Sequence, residues 1–166
     1  MESGQEFPFF VCKAGEADLP LLARLNRALI EDEGSRNPMM LEELQQRMGG
    51  LLKDGWQIDL FCRESDVLGY ALYSIDRDDY EDAPFIYLRQ FLIAREHRRR
   101  GYGLKAVEYL IQHAFPPKAI VSLDVLHTNE AGRRFWEKAG FCPYYTNLKR
   151  WPGKTGEHQK NSDTAQ

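Results

Sequence analysis

Residues 84–94, PFIYLRQFLIA, form the longest extended run in the chain, and its continuation constrains the fold more than any other feature. The run passes through a basic, glycine-bearing turn, HRRRGYG (97–103), into an amphipathic helix pattern carried by Leu104, Val107, Leu110, Ile111 and Ala114. Pro116-Pro117 ends that pattern, and AIVSLDVL (119–126) reads as a second, buried strand. A strand–helix–strand unit sets two strands parallel, joined by a right-handed crossover. It also aims the unpaired N–H groups of the helix's first turn, which carry partial positive charge, at the edge of the sheet. Arg98, Arg99 and Arg100 add forked donors there, and Gly101 and Gly103 allow close backbone approach, so the stretch predicts an anion, phosphate above all.

The remaining elements are arranged around this unit. FFVCKA (9–14) suits a strand, and Asp18 caps a helix striped by Leu21, Leu22, Leu25 and Leu29 and stopped by Gly34. Pro38 suits the first turn of a second helix, with Leu41, Leu44, Met48 and Leu51 as its stripe. Gly49-Gly50 should fray or kink it, since a helical glycine costs about 1 kcal/mol. Ile58, Leu60 and Cys62 alternate with polar residues, ESD (64–66) turns, and VLGYALYSI (67–75) completes an antiparallel hairpin. NEAGRRFWEKAG (129–140) is a short helix closed by Gly140, and FCPYYTNLKRW (141–151) a last extended segment. The predicted order is β-α-α-β-β-β-α-β-α-β. That is an α/β chain of the α+β type, with a mixed, mostly antiparallel central sheet flanked by helices. Residues 1–151 form one domain, and 152–166, with no large apolar residue, a disordered tail.

Composition narrows the function. A length of 166 residues suits one core, and a net charge of −3 argues against a nucleic-acid binder, which needs a broad basic face. No run approaches the roughly 20 apolar residues that span a bilayer, and the N-terminus has no secretory pattern. Three cysteines without a CxxC or other metal-ligand spacing read as reduced thiols of a cytoplasmic chain that holds no metal. There is no GxxxxGK[ST], and the glycine pattern lacks the third glycine of a dinucleotide loop.

FLIAREHRRRGYG resembles the acetyl-coenzyme A signature of the GNAT N-acetyltransferase family, [Q/R]-x-x-G-x-[G/A], with Arg98, Gly101 and Gly103 at its defined positions. NEAGRRFWEKAGF (129–141) resembles the second family signature, N-x-x-A-x-x-[L/F]-Y-x-x-x-G-F. Asn129, Phe135, Gly140 and Phe141 match it, Gly132 replaces the alanine, and Trp136 replaces the tyrosine. The resemblance runs from about residue 9 to 151 and implies the GNAT fold with acetyl-CoA as acetyl donor.

The resemblance also implies roles for individual residues. The backbone of Phe91, Leu92 and Ile93 would pair with the pantetheine arm. Arg98, Arg99, Arg100, Gly101, Tyr102, Gly103 and Leu104 would cradle the pyrophosphate, and Asn129, Phe135 and Trp136 would complete the site. Chemistry would be direct attack of a neutral amine on the thioester. The family's proton-donating tyrosine is here Trp136, whose indole N–H is no acid near neutral pH. Tyr144 and Tyr145 are the substitutes, and Asp124, or Glu31, Asp32 or Glu33, the candidate base. Tyr87 and Arg89 share one face of the central strand, with Gln90 expected on the other, and would meet the acceptor. Two acidic clusters, IEDEGS (30–35) and DRDDYED (76–82), favour a cationic amine, either a small molecule or a protein lysine. Arg36 and Arg89 favour an acceptor with its own carboxylate. Three readings of the whole stay open: an N-acetyltransferase, an N-acyltransferase for a longer acyl group, which the pocket around Phe91, Leu126 and Phe135 would decide, and a catalytically silent acyl-CoA-binding regulatory module. A monomer or a homodimer is expected.

Overall fold

A computed structural model describes residues 6–152. The elements are β1 (Phe10–Lys13), α1 (Leu19–Asp32), α2 (Leu41–Lys53), β2 (Gln57–Arg63), β3 (Asp66–Asp78), β4 (Ala83–Ile93), α3 (Tyr102–Tyr109), β5 (Ile120–Ser122) and α4 (Glu130–Lys138). The five strands lie in sequence order in one sheet, antiparallel from β1 to β4 and parallel between β4 and β5. The expected mixed, mostly antiparallel class is therefore what the chain forms, and the strand–helix–strand unit supplies its single parallel pair.

The sheet is buried on both faces. Ile58, Leu60, Tyr70, Leu72 and Leu92 meet Leu22 and Leu29 of α1 and Met48 of α2 on one side. Phe61, Ala71, Tyr73, Ile86, Leu88 and Ile93 meet Ala106 of α3 and the following Leu110 on the other. Three expectations fail at element ends for local reasons. Pro38 stays outside α2, which starts only at Leu41, where Glu43 reaches back to accept from the Met40 N–H at 2.7 Å. Gly49-Gly50 do not interrupt α2, which runs on to Lys53; a Cβ on Gly49 would meet Leu19 at 3.3 Å, so this glycine admits close contact with α1. The helix from Tyr102 changes at Leu110 to a wider-wound turn through Ala114.

The last strand is a larger correction. Residues 141–151 carry no strand, and Tyr144 and Leu148 are 95% and 90% exposed. A strand needs a partner as well as a pattern, and β5 offers only three paired residues rather than the eight read at 119–126. The expected tail lies, apart from Pro152, outside the described residues. Cys12 and Cys62, distant in sequence, come to 3.6 Å between sulfurs across β1 and β2, both as free thiols.

One close approach sets the β3–β4 contact. A Cβ on Gly69 would lie 1.9 Å from the Leu92 carbonyl oxygen, a backbone atom that cannot rotate away. Gly69→Ala is expected to lower stability by about 2–4 kcal/mol, read from the urea midpoint; an unchanged midpoint would remove this packing account.

Candidate active site

β4 leads through a single 3₁₀ turn (Arg95–His97) into the basic loop, where Arg99 and Gly101 both adopt left-handed backbone, φ +59° and +81°. These two reversals bring α3 in with its first N–H groups free of helical partners. Beside them runs a cleft of about 360 Å³ lined by Arg98, Arg99, Gly101, Tyr102, Gly103 and Leu104 from this turn. Arg100 does not reach it. It lines a separate pocket of about 130 Å³ on the far side of Tyr102, with Arg63 and His97. Arg98 is held in place, its Nε donating to the Ile93 carbonyl at 2.7 Å and its guanidinium paired with Asp32.

The opposite wall begins where the sheet opens. The β4–β5 ladder ends at Tyr87↔Ser122, so among the described residues Leu88–Ile93 have no strand partner on that side. Phe91, Leu92 and Ile93 line the cleft along this free edge. Phe91 stacks on Phe135 at 5.8 Å between ring centroids and meets Trp136 edge-on at 5.3 Å, and Trp136 in turn meets Phe141 at 5.2 Å. Trp136 is thus a packing residue of this wall. A Cβ on Gly103 would meet the Phe135 ring at 2.9 Å, so the second loop glycine lets α4 close over α3. Asn129 caps α4, its side-chain oxygen accepting from Gly132 N–H at 2.9 Å, and the residue also lines the cleft. A Cβ on Gly132 would come within 2.5 Å of the Asn129 amide nitrogen, so the glycine that replaces the motif alanine makes room for this cap.

The remaining sequence candidates are dispersed. Asp124 lies just past β5 and accepts from the Tyr87 hydroxyl at 2.8 Å and the Tyr145 hydroxyl at 3.2 Å. Burial, then the hydrogen bond to Asp124, pushes the Tyr87 phenol up to about 12. The charge of Asp124 raises the Tyr145 phenol too. Tyr144 touches Tyr145 and is otherwise exposed; neither it, Tyr145 nor Asp124 lines the cleft. Of the acids ending α1, Glu31 pairs with Arg27 at 3.6 Å, and Asp32 is taken by Arg95, at 2.5 Å, and by Arg98. Glu33 lines the cleft, has no ion-pair partner among the described residues, and is raised above its ordinary value by burial and by the charge of Asp32. Tyr87 and Arg89 flank Trp56, whose ring lies 6.1 Å from that of Tyr87 and 5.3 Å from the Arg89 guanidinium.

A family model described as Acetyltransferase (GNAT) family matches residues 24–141. The chain belongs to the GNAT acetyltransferase family. No curated protein sequence matches it significantly. Among solved structures it is similar to a possible acetyltransferase from Clostridium difficile 630, at 17% identity and TM-score 0.69, covering 86% of this chain and 96% of that one. It is also similar to a ribosomal-protein-alanine N-acetyltransferase from Brucella melitensis biovar Abortus 2308 (13%, TM-score 0.63, 86% and 99%). A third is a predicted acetyltransferase with acetyl-CoA from Clostridium acetobutylicum (16%, TM-score 0.67, 86% and 95%). At these identities the likeness establishes the GNAT fold.

The GNAT chain also uses residues that its sequence did not single out. The register of β4 slips at Arg89, which has no partner on β3 between Leu72↔Gln90 and Tyr73↔Leu88. This bulge resets the alternation. Gln90 accordingly faces α1 together with Tyr87 and Arg89, against expectation, because the extra residue shifts the phase by one. There Gln90 donates to Asn26 at 3.2 Å and accepts from the Tyr70 hydroxyl at 2.9 Å, all three buried. Asn26 was detectable as a polar residue within the Leu22–Leu29 stripe, and the bulge as two adjacent polar residues, Arg89-Gln90, inside an otherwise apolar strand.

The Asp32 clamp gives a pH test. Burial opposes the charge of this carboxyl, but hydrogen bonds and attraction from Arg98 and Arg95 outweigh it and hold it below its ordinary 3.8. A carboxyl depressed on folding contributes stability above its unfolded value and loses it as pH falls through the folded value. Asp32→Asn is therefore expected to lower the urea midpoint at pH 7, with the difference closing as pH falls below 3.8. A difference independent of pH would remove the ionic account.

Proposed function

We propose that this GNAT chain transfers the acetyl group of acetyl-CoA to an amine, with residues 1–151 acting as a single domain. The observation that carries this reading is the convergence of the free β4 edge, the α3 N-terminus and Asn129 on one cleft. The cleft fits the donor by chemistry. Its basic end suits a pyrophosphate, its apolar aromatic wall suits a flexible arm, and Leu88–Ile93 offer backbone donors and acceptors to that arm's amides. Bound there, acetyl-CoA supplies a thioester carbonyl as electrophile. Backbone N–H groups of the free edge are the candidates to stabilise its oxyanion.

An aliphatic amine has a pKa of about 10.4, so a base must take its proton before or during attack. Glu33 is the carboxylate assigned here, since it lines the cleft and Glu31 and Asp32 are committed to arginines. The amine nitrogen forms the C–N bond, the C–S bond breaks, its electron pair leaves with sulfur, and the thiolate takes a proton from solvent. Asp124 acts indirectly, orienting the Tyr87 hydroxyl beside the point where β4 and β5 part. Tyr144 and Tyr145 are left without a role in proton transfer. No helix among the described residues is long and apolar enough to cross a membrane; a cytoplasmic chain, as monomer or homodimer, is the companion proposal.

Trp136 in place of the motif tyrosine favours a second reading, a silent acyl-CoA-binding module. Turnover separates the two. Glu33→Gln is expected to lower kcat by about 10²-fold or more and to abolish the loss of rate at acid pH that protonation of Glu33 produces. Absence of thiol release with every amine tried would favour the module. For the donor site, calorimetry should give micromolar acetyl-CoA binding that weakens for a dephosphorylated analogue. Gly103→Trp, which forces Phe135 aside, should abolish that binding while circular dichroism is unchanged. Retained affinity would remove the pyrophosphate assignment.

A further inference from the structure

Cys12 on β1 and Cys62 on β2 take no part in the acetyl transfer described above, yet the fold brings them together. Their sulfurs lie 3.6 Å apart, within reach of an S–H hydrogen bond, and both are free thiols. In the β1–β2 ladder Cys12 stands opposite Leu60 and Cys62 opposite Phe10, with Val11↔Phe61 between them. The cysteines are therefore diagonal neighbours on one face of the sheet, the face that α1 covers, while Val11 and Phe61 point to the other. Their surroundings differ. Cys12 is open to solvent, whereas Cys62 is 8% exposed and packs in one cluster with Leu22 and Leu29. Burial, and then the hydrogen bond to Cys12, holds the Cys62 thiol above its ordinary value, so Cys62 keeps its proton. One sulfur is thus placed to meet a reagent from solvent, and the other is sheltered directly behind it.

We propose that Cys12 and Cys62 form a reversible redox site, with a hydroperoxide as oxidant and a small thiol as reductant, whose disulfide form staples β1 to the sheet. Cys12 reacts first. Its sulfur attacks one peroxide oxygen, the O–O bond breaks, and Cys12 becomes a sulfenic acid as one water leaves. The Cys62 sulfur then attacks the Cys12 sulfur, the S–O bond breaks, and the Cys62 proton leaves with the hydroxide as a second water. Two thiols and one hydrogen peroxide give one disulfide and two waters. Closing the bond brings the sulfurs from 3.6 Å to about 2 Å, a side-chain movement with a small strand adjustment between diagonal positions. Exposure of Cys12 leaves the disulfide open to thiol exchange, in which two small thiols are oxidised to their own disulfide and both cysteines regain their protons. β1 is the element that this bond changes. It has four residues, lies at the edge of the sheet and pairs with β2 alone, so it belongs to the least protected part of the ladder.

The test uses the full chain carrying Cys142→Ser, which removes the other exposed thiol. The protein is treated with hydrogen peroxide, its remaining thiols are alkylated under denaturing conditions, and its intact mass is measured. The expected product is a monomer two hydrogens lighter with no alkylated thiol, which gives a cross-linked peptide containing Cys12 and Cys62 on digestion and recovers both thiols in dithiothreitol. Oxidation of Cys12 on to sulfinic acid with Cys62 still alkylated, a dimer bridged through Cys12, or a disulfide that dithiothreitol does not open in the native protein would overturn the site. In Cys62→Ala the Cys12 sulfenic acid should persist and be captured by dimedone; no capture would overturn Cys12 as the residue attacked. The mass of the unaltered pair decides closure even where Cys62→Ala fails to fold. Hydrogen exchange reads the staple: the amides of Phe10–Lys13 should exchange roughly tenfold or more slowly in the disulfide form than in the dithiol form. Equal exchange in the two forms would overturn that consequence.

Discussion

β4 is paired with β3 along its length but with β5 over only three residues, and nearly everything distinctive about the molecule depends on that inequality. A parallel strand pair needs a crossover, and here the crossover helix packs under the sheet while β5 diverges, so the strand edge opens as far as the ladder fails. Backbone groups at such an edge are costly to bury unpaired. They are therefore either solvated or available to a ligand, and the aromatic wall of α4 keeps this edge partly sheltered. The loop after β4 turns through two left-handed residues and delivers the α3 N-terminus to the same opening.

The bulge at Arg89 divides β4 into two functions. Before it, Ile86 and Leu88 pack under α3; after it, Phe91 and Ile93 do, and the displaced pair Arg89-Gln90 is left on the opposite face. Gln90 is tied down by Tyr70 and Asn26. Each such buried hydrogen bond contributes about 1 kcal/mol net, while leaving one partner unsatisfied costs about 1–3 kcal/mol. The network thus penalises loss of the bulge more than it stabilises the fold. Arg89, next in line, is fixed toward Trp56 by a constraint that α1 imposes through Asn26.

Legibility in the sequence tracked the range of the interaction. The left-handed turn at Gly101, the Asn129 cap and the helix stops at Gly34 and Gly140 act on their own neighbourhood, and these local roles could be read from spacing. Arg100 could not be told from Arg98 and Arg99, because a left-handed residue between them turns successive side chains to different sides. The commitment of Asp32 depends on a contact 66 residues away in sequence, and an acidic helix end reads the same whether free or clamped. FCPYYTNLKRW has a strand's pattern but no ladder to join, since the availability of β5 is a property of the assembled sheet.

The clamp at Asp32 links the two halves of the proposed reaction. Asp32 belongs to α1, yet its partners Arg95 and Arg98 belong to the donor loop, and its neighbour Glu33 faces the cleft. A pyrophosphate arriving at the loop would compete with Asp32 for Arg98. The carboxylate, freed in part, would then act more strongly on Glu33, which its charge already raises. Donor binding would make Glu33 a better proton acceptor while drawing an ammonium toward it. By linkage this coupling is mutual: a bound donor would favour an ammonium at Glu33, and a bound ammonium at Glu33 would in turn ease the exchange of Asp32 for phosphate at Arg98.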